Sequence, residues 1–307
     1  MNRRKFLAAI GIVAVAISLA GASPAEAGGQ RACVPAAKQT GAARDRAVKT
    51  MVTKMSREGA DAGQIVADVY RNFCVSNQAQ AAPGAVTPMS TGAVVTVSTP
   101  VWFRESSGAW LIWSQYYWNN LNPAFSDDIP WSCLKTCNIG GNDAFGVVLS
   151  ARGVVTDSYM EGGGLIGGPF YKGANIGSFW VSTANQYGVA YQFQDKMTKY
   201  GSAGCGNVWP DDPDHAASCA SSKVCFNGGN PPPGYCVDYF GARGMSWVEV
   251  SQLECGFPVQ AVAGYAHTWS ETSISGIGVG PMQFSVSWSS AGNGWSVASA
   301  NSPPTNC

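Results

Sequence analysis

Two glutamates are the acids best placed for sugar chemistry in this sequence. Glu249 lies in an alternating run at residues 246–250, and Glu161 follows the run at residues 154–159. Glycoside hydrolysis uses two carboxyl groups about 5–9 Å apart across the sugar. Glu249 shares a strand face with Trp247, so a sugar ring could stack beside this acid. A glycoside hydrolase that uses Glu249 and Glu161 is therefore one hypothesis, although no pattern places the two side chains opposite each other.

Histidine-dependent catalysis has little support. The sequence contains two histidines, His215 and His267, and no G-x-S-x-G motif. His267 lies between Tyr265 and Trp269 at strand spacing, so the three side chains share one face. That face could stack on a ligand beside a titrating group. The favoured interpretation is a partly buried, hydrogen-bonded structural histidine.

An acidic loop provides a weak candidate for a metal site. Asp211, Asp212 and Asp214 precede His215, and carboxylate oxygens are ligands that Ca²⁺ prefers. The glycine and the distal glutamate of an EF-hand are missing, so a solvated acidic loop is the favoured interpretation. We expect no cofactor.

Aromatic residues are concentrated in one predicted strand, at residues 110–118. Trp113 and Tyr117 lie on one strand face, and Trp110, Tyr116 and Trp118 lie on the other. One face can enter a core, whereas the other must be exposed or be covered by the insertions or the helical hairpin, and cover is the favoured interpretation. Exposed rings beside amide side chains could stack on a saccharide and bond its hydroxyls. The candidate binding residues are Trp113, Tyr117, Trp118, Tyr265, His267 and Trp269.

The ten cysteines predict disulfides, because the number is even and only two histidines could share a metal. A zinc site at Cys133 and Cys137 would need a second close pair of ligands. The predicted pairs are Cys33–Cys74, Cys133–Cys137, Cys205–Cys219, Cys225–Cys236 and Cys255–Cys307.

The charge distribution excludes a nucleic-acid-binding main domain. Residues 28–82 carry eight basic and four acidic residues, whereas residues 83–307 carry eight basic and fourteen acidic residues. A nucleic-acid binder needs a basic surface, and the larger part of this chain is acidic. The basic N-terminal part could instead dock on the acidic part as a pro-segment or lid.

The first 27 residues have the organisation of an export signal. A basic start is followed by an apolar run at residues 8–20 and by Ala25-Glu26-Ala27, which predicts cleavage after Ala27. The string Arg3-Arg4-Lys5-Phe6-Leu7 resembles the twin-arginine signature of bacterial Tat substrates. We therefore expect a secreted, extracellular protein with no transmembrane segment in its mature form.

Periodicity predicts the elements that must position these residues. Residues 28–76 predict a helical hairpin bracketed by Cys33 and Cys74, and residues 77–90 predict a linker. Residues 91–307 predict an antiparallel, jelly-roll-like β-sandwich with a cysteine-rich insertion at residues 201–236. The last predicted pair of strands is a β-hairpin spanning residues 284–300, with Phe284, Val286 and Trp288 on its core face.

In its leader, its low charge (12%) and strand endings such as residues 265–270, the chain resembles secreted proteins of actinobacteria. This resemblance implies no particular active site. The leading hypothesis is a non-catalytic, disulfide-stabilised extracellular protein that binds a polymer or cell surface, with polysaccharide as the expected ligand. The alternatives are the glycoside hydrolase described above and a structural or protein-interaction role in the cell envelope, with the aromatic surface as the interface.

Overall fold

The computed structural model describes residues 33–36, 38–78, 90–91, 95–118, 136–138, 140–163, 179–200, 236–268, 272–289 and 294–306. The predicted export signal at residues 1–27 lies outside these ranges, as does most of the cysteine-rich insertion. Residues Val34 to Cys307 form one compact unit.

The two helices form where the sequence predicts them. Helix α1 spans Gly41–Arg57 and α2 spans Ala62–Phe73. Asp61 caps α2 by accepting a hydrogen bond from the Gln64 backbone N–H at 2.8 Å, while the Gln64 side chain accepts one from the Asp61 N–H at 2.9 Å. Cys33 and Cys74 are both disulfide-bonded, as the predicted bridge requires. In the described part of the chain, neither helix has the length and apolar character needed to cross a bilayer.

The rest of the described chain is mainly antiparallel β-structure. The strands are β1 Ser90–Thr91, β2 Val95–Val97, β3 Val101–Arg104, β4 Trp110–Trp118, β5 Thr136–Asn138, β6 Asp143–Leu149, β7 Val154–Gly163, β8 Phe179–Asn185, β9 Gly188–Phe193, β10 Lys196–Tyr200, β11 Cys236–Phe240, β12 Arg243–Ser251, β13 Ala261–Thr268, β14 Ile274–Gly280, β15 Gln283–Trp288 and β16 Gly294–Ala298. The first sheet has the order β1-β2-β4-β12-β7, with β3 also paired to β4. The second sheet has the order β16-β13-β6-β9-β8. Strands β11-β10-β5 and β14-β15 form two smaller sheets.

The main core lies between the first and second sheets, which makes the fold a β-sandwich. Strand β4 contributes its even-numbered side chains to this core, among them Trp110, Tyr116 and Trp118. Tyr116 packs against Tyr265 of β13, with ring centroids 4.5 Å apart. The predicted division of β4 aromatics between two faces is therefore present, and the inner face is buried.

The helical hairpin covers the outer face of the first sheet. Val48, Val52 and Ile65 of the helices belong to one buried cluster with Trp113 of β4 and Trp247 of β12. The remaining buried members of this cluster are Val69, Phe73, Val75, Val101, Phe103, Leu111 and Met245. Leu111 and Trp113, on the odd-numbered face of β4, are thus buried against the helices.

The two-stranded ribbon β14-β15 covers the outer face of the second sheet. Phe284 of β15 lies so close to Gly264 that a Cβ at residue 264 would be 2.2 Å from the Phe284 ring. The predicted hairpin over residues 284–300 is wrong in its pairing, because β15 pairs with β14 and β16 pairs with β13. The alternation is correct, but Trp295 of β16 packs toward the main core whereas Phe284 packs on the opposite face of the sheet.

The last described residues attach to distant parts of the chain. The hydroxyl of Ser302 accepts hydrogen bonds from the Trp102 indole N–H at 3.0 Å and from the Ala261 backbone N–H at 2.9 Å. Thr305 forms an isolated bridge with Val259. The C-terminal segment therefore ties β3 to β13.

Candidate binding site at the border of helix α1 and the first sheet

A cluster of charged side chains lies where α1 meets the first sheet. We call Lys49, Glu105, Asp157, Trp247 and Glu249 the Lys49 cluster. Glu249 of β12 lies directly opposite Asp157 of β7 in the strand register. Lys49 comes from α1, one residue after the buried Val48, and Glu105 follows β3 in a turn closed by its N–H to Ala109 O at 2.9 Å. Four separate parts of the chain therefore supply charges to one place.

The Lys49 ammonium is the centre of the cluster. Its Nζ forms an ion pair with Glu249, lies 3.4 Å from Glu105 Oε1 and lies 3.9 Å from Asp157 Oδ2. It also lies 5.1 Å from the centroid of the Trp247 ring, which is within cation–π range. One positive charge thus faces three carboxylates and an aromatic ring.

The pKa values of the two glutamates shift in opposite directions. Burial raises the pKa of Glu105, and the nearby Lys49 charge only partly offsets this effect. Burial also acts to raise the pKa of Glu249, but hydrogen bonds from Lys49 and Thr156 outweigh it, so the pKa is lowered. Burial acts to lower the pKa of Lys49, but Glu249 and Glu105 raise it overall. Glu249 is therefore the principal partner of Lys49, and Glu105 carries a charge that its surroundings compensate less well.

A second ion pair lies further along the same border. Arg57 at the end of α1 donates two hydrogen bonds to the Glu161 carboxylate, at 2.8 and 2.7 Å. The Tyr159 hydroxyl donates a third hydrogen bond to Glu161, at 3.0 Å. The Tyr159 ring stacks on Trp247 with centroids 5.7 Å apart, and 36% of Tyr159 is exposed. Strand β7 therefore presents Asp157, Tyr159 and Glu161 in alternation along the border.

The two glutamates that the sequence suggests as a catalytic pair are not opposite each other. Glu161 pairs in register with Met245, four residues before Glu249 on β12. Four residues of a strand span about 13 Å, which exceeds the roughly 5–9.5 Å separation in glycosidases. Each glutamate instead has its own cation from α1.

Within the described residues, the interface between the hairpin and the first sheet contains buried polar groups that have no hydrogen-bond partner. The indole N–H groups of Trp113 and Trp247 are buried, and within the described residues neither has a hydrogen-bond acceptor. An unsatisfied buried donor costs about 1–3 kcal/mol. The helices thus bury this aromatic face without satisfying all of its polar atoms.

The structure buries most of the residues that the sequence suggests as a stacking platform. Trp113, Trp118, Tyr265 and His267 are each at most 2% exposed. Tyr117 is half-buried beside the Arg243 guanidinium, 5.7 Å from its ring, and Trp269 lies outside the described residues. The rings of Trp113, Trp118 and Tyr265 face either the main core or the helical hairpin, so these three do not form an open platform.

His267 belongs to a buried hydrogen-bonded group in the main core. Its Nδ1 lies 3.0 Å from each oxygen of Asp143. Asp143 also accepts hydrogen bonds from the Tyr265 hydroxyl and, at 3.0 Å, from the Thr268 backbone N–H. Burial and the Asp143 charge raise the pKa of Tyr265 well above its usual value. Sequence reasoning did not identify Asp143 as a partner of His267. The one available signal is its position immediately before an apolar run.

The same group contains atoms that could bind a metal. Asp143, Asp195 and His267 offer ligand atoms within 4.8 Å of one another. Asp143 already receives hydrogen bonds from the protein, so we assign the group to the stability of the core. The calcium candidates Asp211, Asp212 and Asp214 lie outside the described residues, as do Cys133, Cys205, Cys219, Cys225 and Cys307. Cys255 is disulfide-bonded.

Comparison with known proteins gives no family. No protein-family model matches the chain, and no curated protein is similar to it in sequence.

The sequence does not identify most of the Lys49 cluster. Glu249 and Trp247 are candidates because they share a strand face, but Lys49, Glu105 and Asp157 come from segments whose contact depends on tertiary packing. The one available signal is the alternation of Asp157, Tyr159 and Glu161 along the predicted strand.

Proposed function

We propose that this is a secreted, non-catalytic protein that binds an extracellular polysaccharide at the border of α1 and β7. The observation that carries the proposal is the Tyr159 ring, which is partly exposed, stacked on Trp247 and flanked along its strand by Asp157 and Glu161. An aromatic ring supported from behind offers a flat apolar surface for a sugar ring, and carboxylates beside it can accept hydrogen bonds from sugar hydroxyls.

The test is retention of the oxidised, mature protein on insoluble polysaccharides, with reducing sugar measured in the supernatant. We expect retention on at least one polysaccharide without release of sugar. Tyr159→Ala should abolish retention, whereas Trp180→Ala should not. Trp180 is the matched control because it is 39% exposed but lies on β8 of the second sheet.

Two results would contradict this proposal. Loss of retention in Trp180→Ala but not in Tyr159→Ala would place the binding surface on β8. Failure of the wild-type protein to bind any polysaccharide would favour the role in protein interactions, which would then be sought through a protein partner.

Hydrolysis is a second candidate, favoured by the opposite pKa shifts of Glu105 and Glu249 around one ammonium. Acid and base roles in an active site are commonly set by such a difference between two carboxyl groups. Release of reducing sugar that is abolished by Glu249→Gln, with the fold intact, would support this candidate in place of simple binding.

A further inference from the structure

The Lys49 cluster has more negative charge than its own lysine neutralises. Three carboxylates face one ammonium. A fourth acid, Asp45, adds to the field at Glu105 and Glu249 but is itself paired with Arg44, at 3.4 Å. The Glu105 side chain is only 8% exposed, and its Oε1 accepts no hydrogen bond within the described residues although it lies 3.4 Å from Lys49 Nζ. The cluster therefore has both charge and acceptor capacity left for a cation.

The cluster is open on one side. Asp157 lies on β7, the last strand of the first sheet among the described pairings, and 57% of its side chain is exposed. Lys49 and Glu249 are less exposed, at 19% and 18% of their side chains. A ligand can thus approach past Asp157 while the helices stay in place. Only the Lys49 side chain, a flexible four-carbon stem, has to move.

We propose that the Lys49 cluster is a binding site for an ammonium group of an amino polysaccharide, and that Lys49 occupies it as an internal competitor. This inference rests on the proposed function and names the class of polysaccharide. Lys49 shows what the site accepts, which is a primary ammonium held by carboxylates over the Trp247 ring.

The neighbouring residue on β7 favours a sugar over a basic peptide. Asp157 and Tyr159 are two residues apart on one strand face, which is about 6.6 Å. In an amino polysaccharide, the ammonium group of one sugar unit and the ring face of the same unit or the next are separated by a similar distance. Glu161, the next acid along β7, is already neutralised by the bidentate contact with Arg57. The unneutralised charge therefore lies at the Asp157 end.

The experiment measures binding of soluble oligosaccharides to the full-length mature protein at about pH 5.5, where most carboxylates and amino groups are charged. The probes are a glucosamine oligomer and an N-acetylglucosamine oligomer of the same length. Lys49→Met, which removes the competitor, should bind the glucosamine oligomer at least about 10-fold more tightly than the wild type. Lys54→Met is the control, because Lys54 is exposed and pairs only with Glu58 among the described ion pairs, at 3.7 Å. It should bind as the wild type does.

A second variant covers the case in which Lys49→Met does not fold. Asp157→Asn changes an exposed side chain, so the variant should keep the fold. Its retention on chitosan should be several-fold lower than that of the wild-type protein, whereas its retention on chitin should be unchanged. Unchanged chitosan retention in Asp157→Asn would overturn the inference. Equal gains for the acetylated and free-amine oligomers in a folded Lys49→Met would also overturn it.

Two further results separate this inference from the proposed function. Binding to neutral polysaccharides but not to the glucosamine oligomer would reject the ammonium site and keep polysaccharide binding. Binding of a lysine oligomer of matched charge as tightly as the glucosamine oligomer would show that the site recognises ammonium groups without the sugar, and would overturn the assignment of the ligand class.

Discussion

Lys49 places one ammonium among three carboxylates whose surroundings differ. Glu249 receives hydrogen bonds from both Lys49 and Thr156, whereas Glu105 is buried and has a longer contact with the same ammonium. Removing the charge of Glu249 and removing the charge of Glu105 should therefore change the free energy of unfolding in different directions.

The first prediction concerns Glu249→Gln. This change removes the principal partner of a partly buried lysine, so we expect the free energy of unfolding at pH 7 to fall by about 1–3 kcal/mol. Chemical denaturation measures the loss. Lys54→Gln is the control, because its exposed ion pair with Glu58 should contribute less than about 0.5 kcal/mol. Equal effects of the two changes would show that the Lys49 cluster does not stabilise the hairpin on the sheet.

The second prediction concerns Glu105→Gln. Because burial raises the folded-state pKa of Glu105, the ionised carboxylate disfavours folding at pH values above that pKa, and its neutral isostere should be neutral or stabilising at pH 7. The advantage of the variant should shrink as the pH falls through the folded-state pKa of Glu105. Glu249 has the opposite sign, because its lowered pKa gives stability that is lost as the pH falls through its folded-state value. Stability curves from about pH 3 to pH 7 test both directions.

At the residue scale, the sequence identifies side chains that share an element but not side chains that meet across elements. Trp247 and Glu249 are on one strand face as predicted, because alternation along a strand is a local property. The contact of Lys49 with Glu249 joins residues 200 positions apart, and no local pattern encodes it. The same is true of Asp143 and His267, which meet only because β6 pairs with β13.

Helices and strands are the scale at which the sequence is most informative. Strand β4 has the predicted limits, Trp110–Trp118, and the two helices lie within the predicted hairpin at residues 28–76. Strand β3 at Val101–Arg104 was not predicted, because a four-residue strand offers too few residues to establish an alternation. The prediction for the closing pair is wrong because β16 joins the edge of the second sheet beside β13, whereas β15 pairs with β14 on the outer face of that sheet, and alternation along a strand does not distinguish these partners.

The third prediction follows from the burial of β4 between the second sheet and the helices. Trp113 is fully buried beneath the helical hairpin, so Trp113→Ala should lower the free energy of unfolding by about 3–5 kcal/mol. If Trp113 instead belonged to an exposed stacking platform, Trp113→Ala would change the melting temperature only slightly. Tyr159→Ala is the comparison, and its partly exposed ring should cost less. A thermal shift no larger for Trp113→Ala than for Tyr159→Ala would contradict the packing described here.

At the scale of the whole molecule, both charged and apolar contacts hold the helical hairpin on the sandwich. The hairpin is basic in composition and its Lys49 and Arg57 pair with acids of β12 and β7, which fits the predicted docking by charge. The contact is also strongly apolar, since Val52 and Ile65 are fully buried in the cluster with Trp113. A segment held by both kinds of contact should not leave easily.

The fourth prediction is therefore that cutting the chain between residues 79 and 89 does not release the hairpin. A protease site introduced there should give two fragments that elute together in size-exclusion chromatography, even in about 1 M salt, where exposed ion pairs are screened. Denaturant should separate them. Separation in native buffer would support a removable pro-segment, and a mature protein from culture medium that begins at Gly28 would argue against one.

The attachment of Ser302 to Trp102 and Ala261 also determines when this protein can fold. Strand β16 and the segment after it are synthesised after every other described element, yet they complete the second sheet and join it to β3. Contacts across 200 residues form slowly, because the chain between them must first be ordered. Until β16 has been synthesised, the partly made sandwich exposes the strand edge of β13 that β16 later covers.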